Sequence, residues 1–272
     1  LFPPAKINLG LRILRKRADG FHDLDTVFYP TALTDVLEIL PSSHPSNTAV
    51  ELKVSGIVPP GNPVENLCVK AWRLLKADHP QLPPVYMHLH KNIPTGAGLG
   101  GGSADGAYAL RGLNEKFKLG LAREQLIEYA AQLGSDCPFF IYDEPCVGSG
   151  RGEILEPISL SLNGYQLVLV NPDIHVSTKE AFAGIHPNDQ VTSVRSIMEQ
   201  PIDTWQDELL NDFEASIFPN HPEIARIKQQ LLDAGAVYAS MSGSGSTVYG
   251  IFKGEPGRVE FPEHYFIYRS RM

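Results

Sequence analysis

Pro94 to Ala104 reads Pro-Thr-Gly-Ala-Gly-Leu-Gly-Gly-Gly-Ser-Ala, and five of its eleven residues are glycine. Val85 to Lys91 before it reads as a strand. Ala104 to Phe117 after it places Ala107, Leu110, Leu113 and Phe117 at helical spacing. The unit is therefore strand, glycine loop, helix. Glycines let backbone N–H groups turn toward one centre, because no Cβ intervenes. Ser103 is placed to cap the helix start, where free N–H groups and the helix dipole favour an anion. A phosphate chain fits such a loop. Gly96, Gly98 and Gly101 satisfy G-x-G-x-x-G, but a dinucleotide fold wants a second strand ending in an acid about 20 residues on. Leu113 to Leu133 reads as helix instead, so the nicotinamide reading fails. The other familiar phosphate loop needs Gly-Lys-Ser/Thr, and Gly102-Ser103-Ala104 has no lysine. A ligand-free glycine turn is the remaining alternative.

The chain has 272 residues, more than most single cores hold, so two domains are expected, at 1–152 and 153–272. The glycine-rich turn Gly148 to Gly152 is the expected junction. Net charge −8 argues against nucleic-acid or membrane-surface binding, and local donors must hold any polyphosphate. Cys68, Cys137 and Cys146 form no CxxC pair and suggest reduced thiols in a cytoplasmic protein. No apolar run approaches the roughly 20 residues of a membrane span, and no signal peptide is visible.

Ala5 to Leu14 alternates Ile7, Leu9, Leu11 and Ile13 against Lys6, Asn8, Gly10 and Arg12, a strand with one apolar face. From this strand alone, Lys6 reads as a solvated lysine. Arg15 to Gly20 is a hairpin turn, with Phe21 and His22 just past it. Short strands are expected at Thr26–Tyr29, Asp35–Leu40 and Ala49–Val54, with a polar connection from Pro41 to Thr48. Helices follow at Glu65–Leu75 and Ala122–Leu133, the second ending at Gly134. Asp136 then stands at the mouth of the apolar run Phe139–Tyr142, so it is either bonded to backbone or acting as an acid or base. Tyr165–Asn171 is an apolar strand. Ser177 and Thr178 precede a helix bearing Phe182, and Glu223–Ala234 is a further helix. Ser242, Gly243, Ser244 and Gly245 form a third glycine-rich turn before the strand Val248–Phe252. The tail from Glu255 to Met272 has no assignment.

Three motifs, Ala5-Lys-Ile-Asn-Leu9, Pro94–Ala104 and Ser242–Thr247, together resemble the GHMP small-molecule kinases. Arg17-Ala-Asp-Gly-Phe-His22, Gly134-Ser-Asp-Cys-Pro-Phe139 and Gly152-Glu-Ile-Leu155 resemble the branch of that family that acts on a cytidine diphosphate methylerythritol in non-mevalonate isoprenoid synthesis. The resemblance runs from Leu1 to about Phe252.

It implies a two-domain α/β (α+β) fold. The N-terminal half would be like ribosomal protein S5 domain 2 and the C-terminal half ferredoxin-like, with the site in the cleft between them. It implies ATP and Mg²⁺ as cofactors, and a small-molecule alcohol, the cytidine compound, as substrate and partner. A monomer or weak homodimer is expected, with no nucleic acid or membrane partner. Lys6 and Asp136 would be catalytic. Pro94, Thr95, Gly96, Ala97, Gly98, Leu99, Gly100, Gly101, Gly102, Ser103 and Ala104 would bind ATP. Phe21 and Phe182 would stack on the cytosine, with His22 beside it, Thr178 near the sugar and Asn8 near the phosphates or alcohol. Ser242 to Gly245 would close over the phosphates, and Ser103 is a candidate Mg²⁺ ligand.

Two positions depart from the family pattern. Phe21 stands where tyrosine is frequent, and Ala104 where a second serine is frequent. A kinase of the same family acting on homoserine, mevalonate or a sugar stays open, as does a non-catalytic nucleotide-binding regulator. Phe21, His22 and Phe182 favour a cytosine over the first. Retention of both Lys6 and Asp136 argues against the second.

Overall fold

The alternation that starts at Ala5 runs as strand β1 (Pro4–Lys16), and the turn after it returns the chain as β2 (His22–Thr34). This computed structural model describes residues 1–42, 49–59 and 62–272. Most of the expected connection after Pro41 lies outside them. The chain continues through β3 (Val36–Pro41), β4 (Val50–Gly56), α1 (Leu67–Asp78), β5 (Val85–Lys91), α2 (Gly101–Phe117), α3 (Arg123–Leu133) and α4 (Phe139–Tyr142). Then come β6 (Cys146–Ser149), β7 (Ile154–Pro157), β8 (Gln166–Asn171) and α5 (Thr178–Ala183). The remainder is α6 (Val194–Met198), α7 (Trp205–Glu208), α8 (Asp212–Ile217), α9 (Pro222–Asp233), β9 (Tyr238–Met241), β10 (Val248–Phe252) and β11 (Phe266–Arg271).

The chain divides into two compact units, and neither is a continuous stretch. The first holds residues 1–5, 33–95 and 100–143. Its sheet has the order β3-β5-β4, with β5 antiparallel to β3 (Leu89 opposite Leu37) and parallel to β4 (Met87 opposite Leu52). Strand β5 buries Val85, Met87, Leu89 and Lys91 on one face, a period-two pattern in which the fourth member is a lysine. The helices bury small and branched residues such as Ala71, Leu75, Ala107 and Leu110. Each such leucine stabilises the unit by about 1.5–3 kcal/mol relative to exposure.

The second unit holds residues 6–32, 96–99 and 144–272. One of its sheets has the order β1-β2-β6-β7, and the glycine turn 148–152 joins two neighbouring strands of it. The other has the order β11-β8-β10-β9, antiparallel throughout. The unassigned tail supplies its edge strand, Ile267 lying opposite Val170. Helix α9 starts with Pro222 at its first turn and buries Ile224, Ile227 and Leu231, spaced three and four apart along one face.

Candidate active site

The first strand does not keep the solvated face its alternation suggests. Ile7 and Leu9 are fully buried, and so nearly are Lys6 and Asn8, at 4% and 2% exposure. A buried ammonium needs partners. Lys6 Nζ donates to Asn8 Oδ1 at 2.6 Å and to the Gly98 carbonyl at 3.0 Å. Asn8 donates from Nδ2 to Thr26 Oγ1 at 3.0 Å, which fixes its amide with the oxygen toward Lys6. The reading of Lys6 as a surface lysine is thus corrected, because the strand is covered on both faces here.

The same cluster ties the first and third glycine-rich turns together. Ser242 Oγ donates to the Gly98 carbonyl at 2.9 Å. The Thr247 N–H donates to the Ala97 carbonyl at 3.2 Å, and the Lys6 N–H to the Leu99 carbonyl at 2.9 Å. Three successive carbonyls, 97 to 99, are therefore held by protein donors. In a trans peptide the N–H points opposite the carbonyl, so the N–H groups of Gly98 and Leu99 turn away from those partners. Gly98 has a φ of +78°, and a Cβ there would meet the Ser242 carbonyl oxygen at 2.0 Å. Only glycine allows this approach. Ser242, Ser246 and Thr247 are buried, and Asn171 Nδ2 donates to Ser246 Oγ and Thr247 Oγ1, both at 3.1 Å.

The helix after the loop starts earlier than its sequence suggests. Gly100, in the left-handed conformation at φ +70°, precedes the first helical residue, Gly101. Ser103 is therefore inside the first turn and is not the cap. Glycine's low helix propensity masked this start. The need for space explains it: a Cβ on Gly101 would sit 2.8 Å from the Ile93 side chain.

Farther into α2, the structure reveals a cluster that sequence reasoning missed. Lys91 Nζ bonds to a carboxylate oxygen of Asp35 and, at 2.7 Å, to Asp105 Oδ2. The three side chains are 3%, 0% and 3% exposed. Asp35 Oδ1 also accepts the N–H groups of Asn92 at 2.6 Å and Ile93 at 2.9 Å, just ahead of the glycine loop. Burial works against the Lys91 charge, but Asp105 and Asp35 outweigh it and raise its pKa. Burial, set against the attraction of Lys91 and reinforced by Asp35, lifts Asp105 from 3.8 to about 7. Two carboxylates and one ammonium carry a net negative charge, so a retained proton neutralises the set.

The folded state thus binds that proton more tightly than the unfolded chain, and the associated stability is lost as pH rises toward and through about 7. Asp105→Asn, which resembles the protonated carboxyl, is expected to gain melting temperature relative to the parent between pH 5 and pH 8. Parallel melting curves across that range would reject the shift.

Lys91, Asp105 and Gly102 also line a cavity of about 450 Å³ in the first unit, with Leu52, Val54 and Asn66 among its other walls. Asn66 Oδ1 caps α1 by accepting the Cys68 N–H at 2.9 Å, and Asn62 Oδ1 accepts the Val64 N–H at 3.0 Å. Both asparagines line the cavity and, with their oxygens so engaged, turn their NH₂ ends away from these caps. Asp136 follows the Gly134 end of α3 and is half-buried. The next residue, Cys137, is a buried thiol raised to about 12 chiefly by burial, so it is not a nucleophile near neutral pH. Cys68 and Cys146 are buried as well.

Aromatic residues gather at the start of β2. His22 stacks on Phe182 with ring centroids 4.6 Å apart and planes 19° apart. Phe213 meets the Phe182 ring edge-on at 4.8 Å. Burial, with Lys16 nearby, lowers the His22 pKa and so favours the neutral ring. Phe21 is 52% exposed at the end of the hairpin turn. The ring against Phe182 is thus His22 rather than Phe21. Thr178 is exposed in the first turn of α5, whose N-cap Ser177 accepts the Glu180 N–H at 3.1 Å.

Comparisons with known proteins match residues 66–144 to the GHMP kinases N terminal domain and residues 193–261 to the GHMP kinases C terminal domain. A protein of Bacteroides thetaiotaomicron described as 4-diphosphocytidyl-2-C-methyl-D-erythritol kinase is 50% identical over 100% of this chain and 99% of its own length. One of Cytophaga hutchinsonii with the same description is 45% identical over 94% of this chain and 93% of its own. A crystal structure of 4-(cytidine 5'-diphospho)-2C-methyl-D-erythritol kinase is 31% identical, with TM-score 0.80 over 93% of this chain and 90% of that one. The mevalonate kinase of Methanococcus jannaschii, at 14% identity and TM-score 0.72 over 100% of this chain and 97% of that one, shares the fold.

Proposed function

This chain belongs to the GHMP kinases and, within them, to the 4-diphosphocytidyl-2-C-methyl-D-erythritol kinases, and on that premise we propose how its residues divide the work. The reaction is ATP-dependent phosphorylation of an alcohol, the 2-hydroxyl of that substrate, in isoprenoid precursor synthesis by the non-mevalonate route. The observation that carries the proposal is the buried Lys6 ammonium held between Asn8 Oδ1 and the Gly98 carbonyl, to which Ser242 Oγ also donates.

Asp136 accepts the proton of the substrate hydroxyl as its oxygen bonds to the γ-phosphorus and the bond to ADP breaks. The Lys6 ammonium, held by Asn8 and Gly98, stabilises negative charge on the transferring group. Loop residues 94–104 receive the triphosphate on backbone N–H groups, and Ser242–Gly245 closes over it. The apolar cavity beside Gly102 takes the nucleotide base, with the Asn62 and Asn66 NH₂ groups donating to its ring nitrogens.

Among the described residues, no three His, Cys, Asp or Glu side chains form a metal cage. Ser103 would supply one protein oxygen for Mg²⁺. The ion would supply charge neutralisation on the phosphates.

The cytosine enters against Phe182 and Phe21, with His22 at its edge, Thr178 near the sugar and Asn8 near the phosphates. His22 gives up its stack on Phe182 when the base arrives.

ADP release should be measured with the cytidine compound beside homoserine, mevalonate and galactose, for the parent and for Phe182→Ala. The parent is expected to turn over the cytidine compound alone. Phe182→Ala is expected to raise its KM by the equivalent of about 1–3 kcal/mol, that is about 5- to 150-fold. A change confined to the KM for ATP would remove Phe182 from the base site. Turnover on another alcohol would remove the cytosine pocket.

A further inference from the structure

Phe21 has no obvious means of holding its ring still. It sits at the end of a hairpin turn, half exposed, and it has no hydroxyl to anchor. Its backbone is well fixed: the Phe21 N–H donates to Asp19 Oδ1 at 3.1 Å, and the Arg17 N–H donates to the Phe21 carbonyl at 2.8 Å. The ring, however, could occupy more than one staggered well.

Arg151 meets that ring. Its guanidinium carbon lies 4.8 Å from the Phe21 ring centroid. The guanidinium comes from the turn between β6 and β7, which is fastened to the strand that follows Phe21. The Leu24 N–H donates to the Gly150 carbonyl at 2.8 Å, and the Gly152 N–H to the Ser149 carbonyl at 3.0 Å. Glu153 holds Arg151 from the other side: its Oε2 accepts the Arg151 N–H at 2.5 Å, and its Oε1 is 3.5 Å from Arg151 Nε. Gly150 makes this possible, because at φ +65° a Cβ there would stand 2.9 Å from Glu153 Oε2. A flat guanidinium on an aromatic face fixes both ring plane and ring position, which a lysine does less well.

We propose that Arg151 is a positioning residue for recognition of the substrate's pyrimidine base: it stacks on one face of Phe21 and holds the ring ready for the base on the other. The inference rests on the base-clamp reading given above. It makes the Gly148–Gly152 turn, which the sequence suggests as a mere junction, part of the specificity apparatus. Arg151 touches the ring and not the reacting atoms, so it acts on substrate binding and leaves the chemical step alone.

The test is a double-mutant cycle on the KM for the cytidine substrate, with kcat, the KM for ATP and the melting temperature measured alongside. Arg151→Ala is expected to raise that KM about two- to fivefold, the size of an exposed cation–π contact, at unchanged kcat and unchanged KM for ATP. Arg151→Lys should recover part of the loss. In the Phe21→Ala background, Arg151→Ala should add nothing. If Phe21→Ala alone raises the KM and Arg151→Ala does not, the positioning role is overturned and the clamp stands. If Arg151→Ala costs the same with or without Phe21, Arg151 acts on the substrate directly and the inference is overturned. If Phe21→Ala leaves the KM unchanged, the clamp reading fails and the inference falls with it. A rise in the KM for ATP equal to that for the cytidine substrate would mark general damage to the fold and also reject the role.

Discussion

Asp136→Asn is expected to lower kcat by about 100-fold or more, with ATP affinity and melting temperature close to the parent's. The substitution keeps the shape of the side chain and removes its ability to take a proton. An alcohol is a poor nucleophile, and in a loose phosphoryl-transfer transition state the attacking oxygen must shed its proton as the bond forms. The residue is only half-buried, so the exchange leaves no large unpaired group in the core. Lys6→Met is expected to act differently. It removes the group that bonds Asn8 Oδ1 and the Gly98 carbonyl, so it disturbs the loop as well as the charge. The separation matters: an Asp136→Asn enzyme that binds both substrates and turns over slowly identifies a group used only in the transition state. Turnover at the parent's rate would take Asp136 out of the chemistry.

The parts legible in the sequence are those set by local constraint. The glycine loop could be recognised because Gly96, Gly98 and Gly100 all adopt φ near +70 to +80°, a conformation that other residues resist, so the requirement is written at each position. Asp136 stood out as a carboxylate next to an apolar run, which the structure shows as the buried helix α4. The start of α2 was misread because propensity disfavours Gly101 and Gly102, whereas the close approach of Ile93 favours a residue without Cβ at the first of them. The stack of His22 on Phe182 joins residues 160 positions apart, and nothing local marks such a pair. Tail strand β11 was hidden because it is an edge strand, with alternate residues exposed and no glycine or proline inside it. The Lys91 cluster left one trace: Lys91 falls on the inward phase of a strand whose other inward residues are Val85, Met87 and Leu89. That phase announces a buried charge, but its partners Asp35 and Asp105 lie 56 and 14 residues away and carry no signal that names them.

Asp35→Ala is expected to be the most destabilising single change in the first unit. It would cost melting temperature by about 10 °C or more, or abolish folding at 37 °C. Asp35 is completely buried and serves three donors: Lys91 Nζ, the Asn92 N–H and the Ile93 N–H. Its removal leaves Lys91 with Asp105 as its remaining carboxylate partner within the cluster and deprives two backbone N–H groups of that acceptor. Lys91 keeps Asp105, so the loss is chiefly that of the two orphaned backbone donors, about 1–3 kcal/mol each, together with the hydrogen bond from Lys91 and the space left by the carboxylate. Against a total stability of about 5–15 kcal/mol, such a loss decides whether the protein folds. Asp35→Asn separates the two contributions. Its amide oxygen still accepts the N–H groups of 92 and 93 while the charge is lost, so a smaller drop in melting temperature is expected. Because those two peptides lead directly into Pro94 and the glycine loop, Asp35→Asn should raise the KM for ATP more than the KM for the cytidine substrate. Thermal unfolding of both variants, followed by the two KM values for the one that folds, tests this. A melting temperature for Asp35→Ala within 2 or 3 °C of the parent's would mean that water or a rearranged Lys91 takes over the site, and the cluster would then not support the loop.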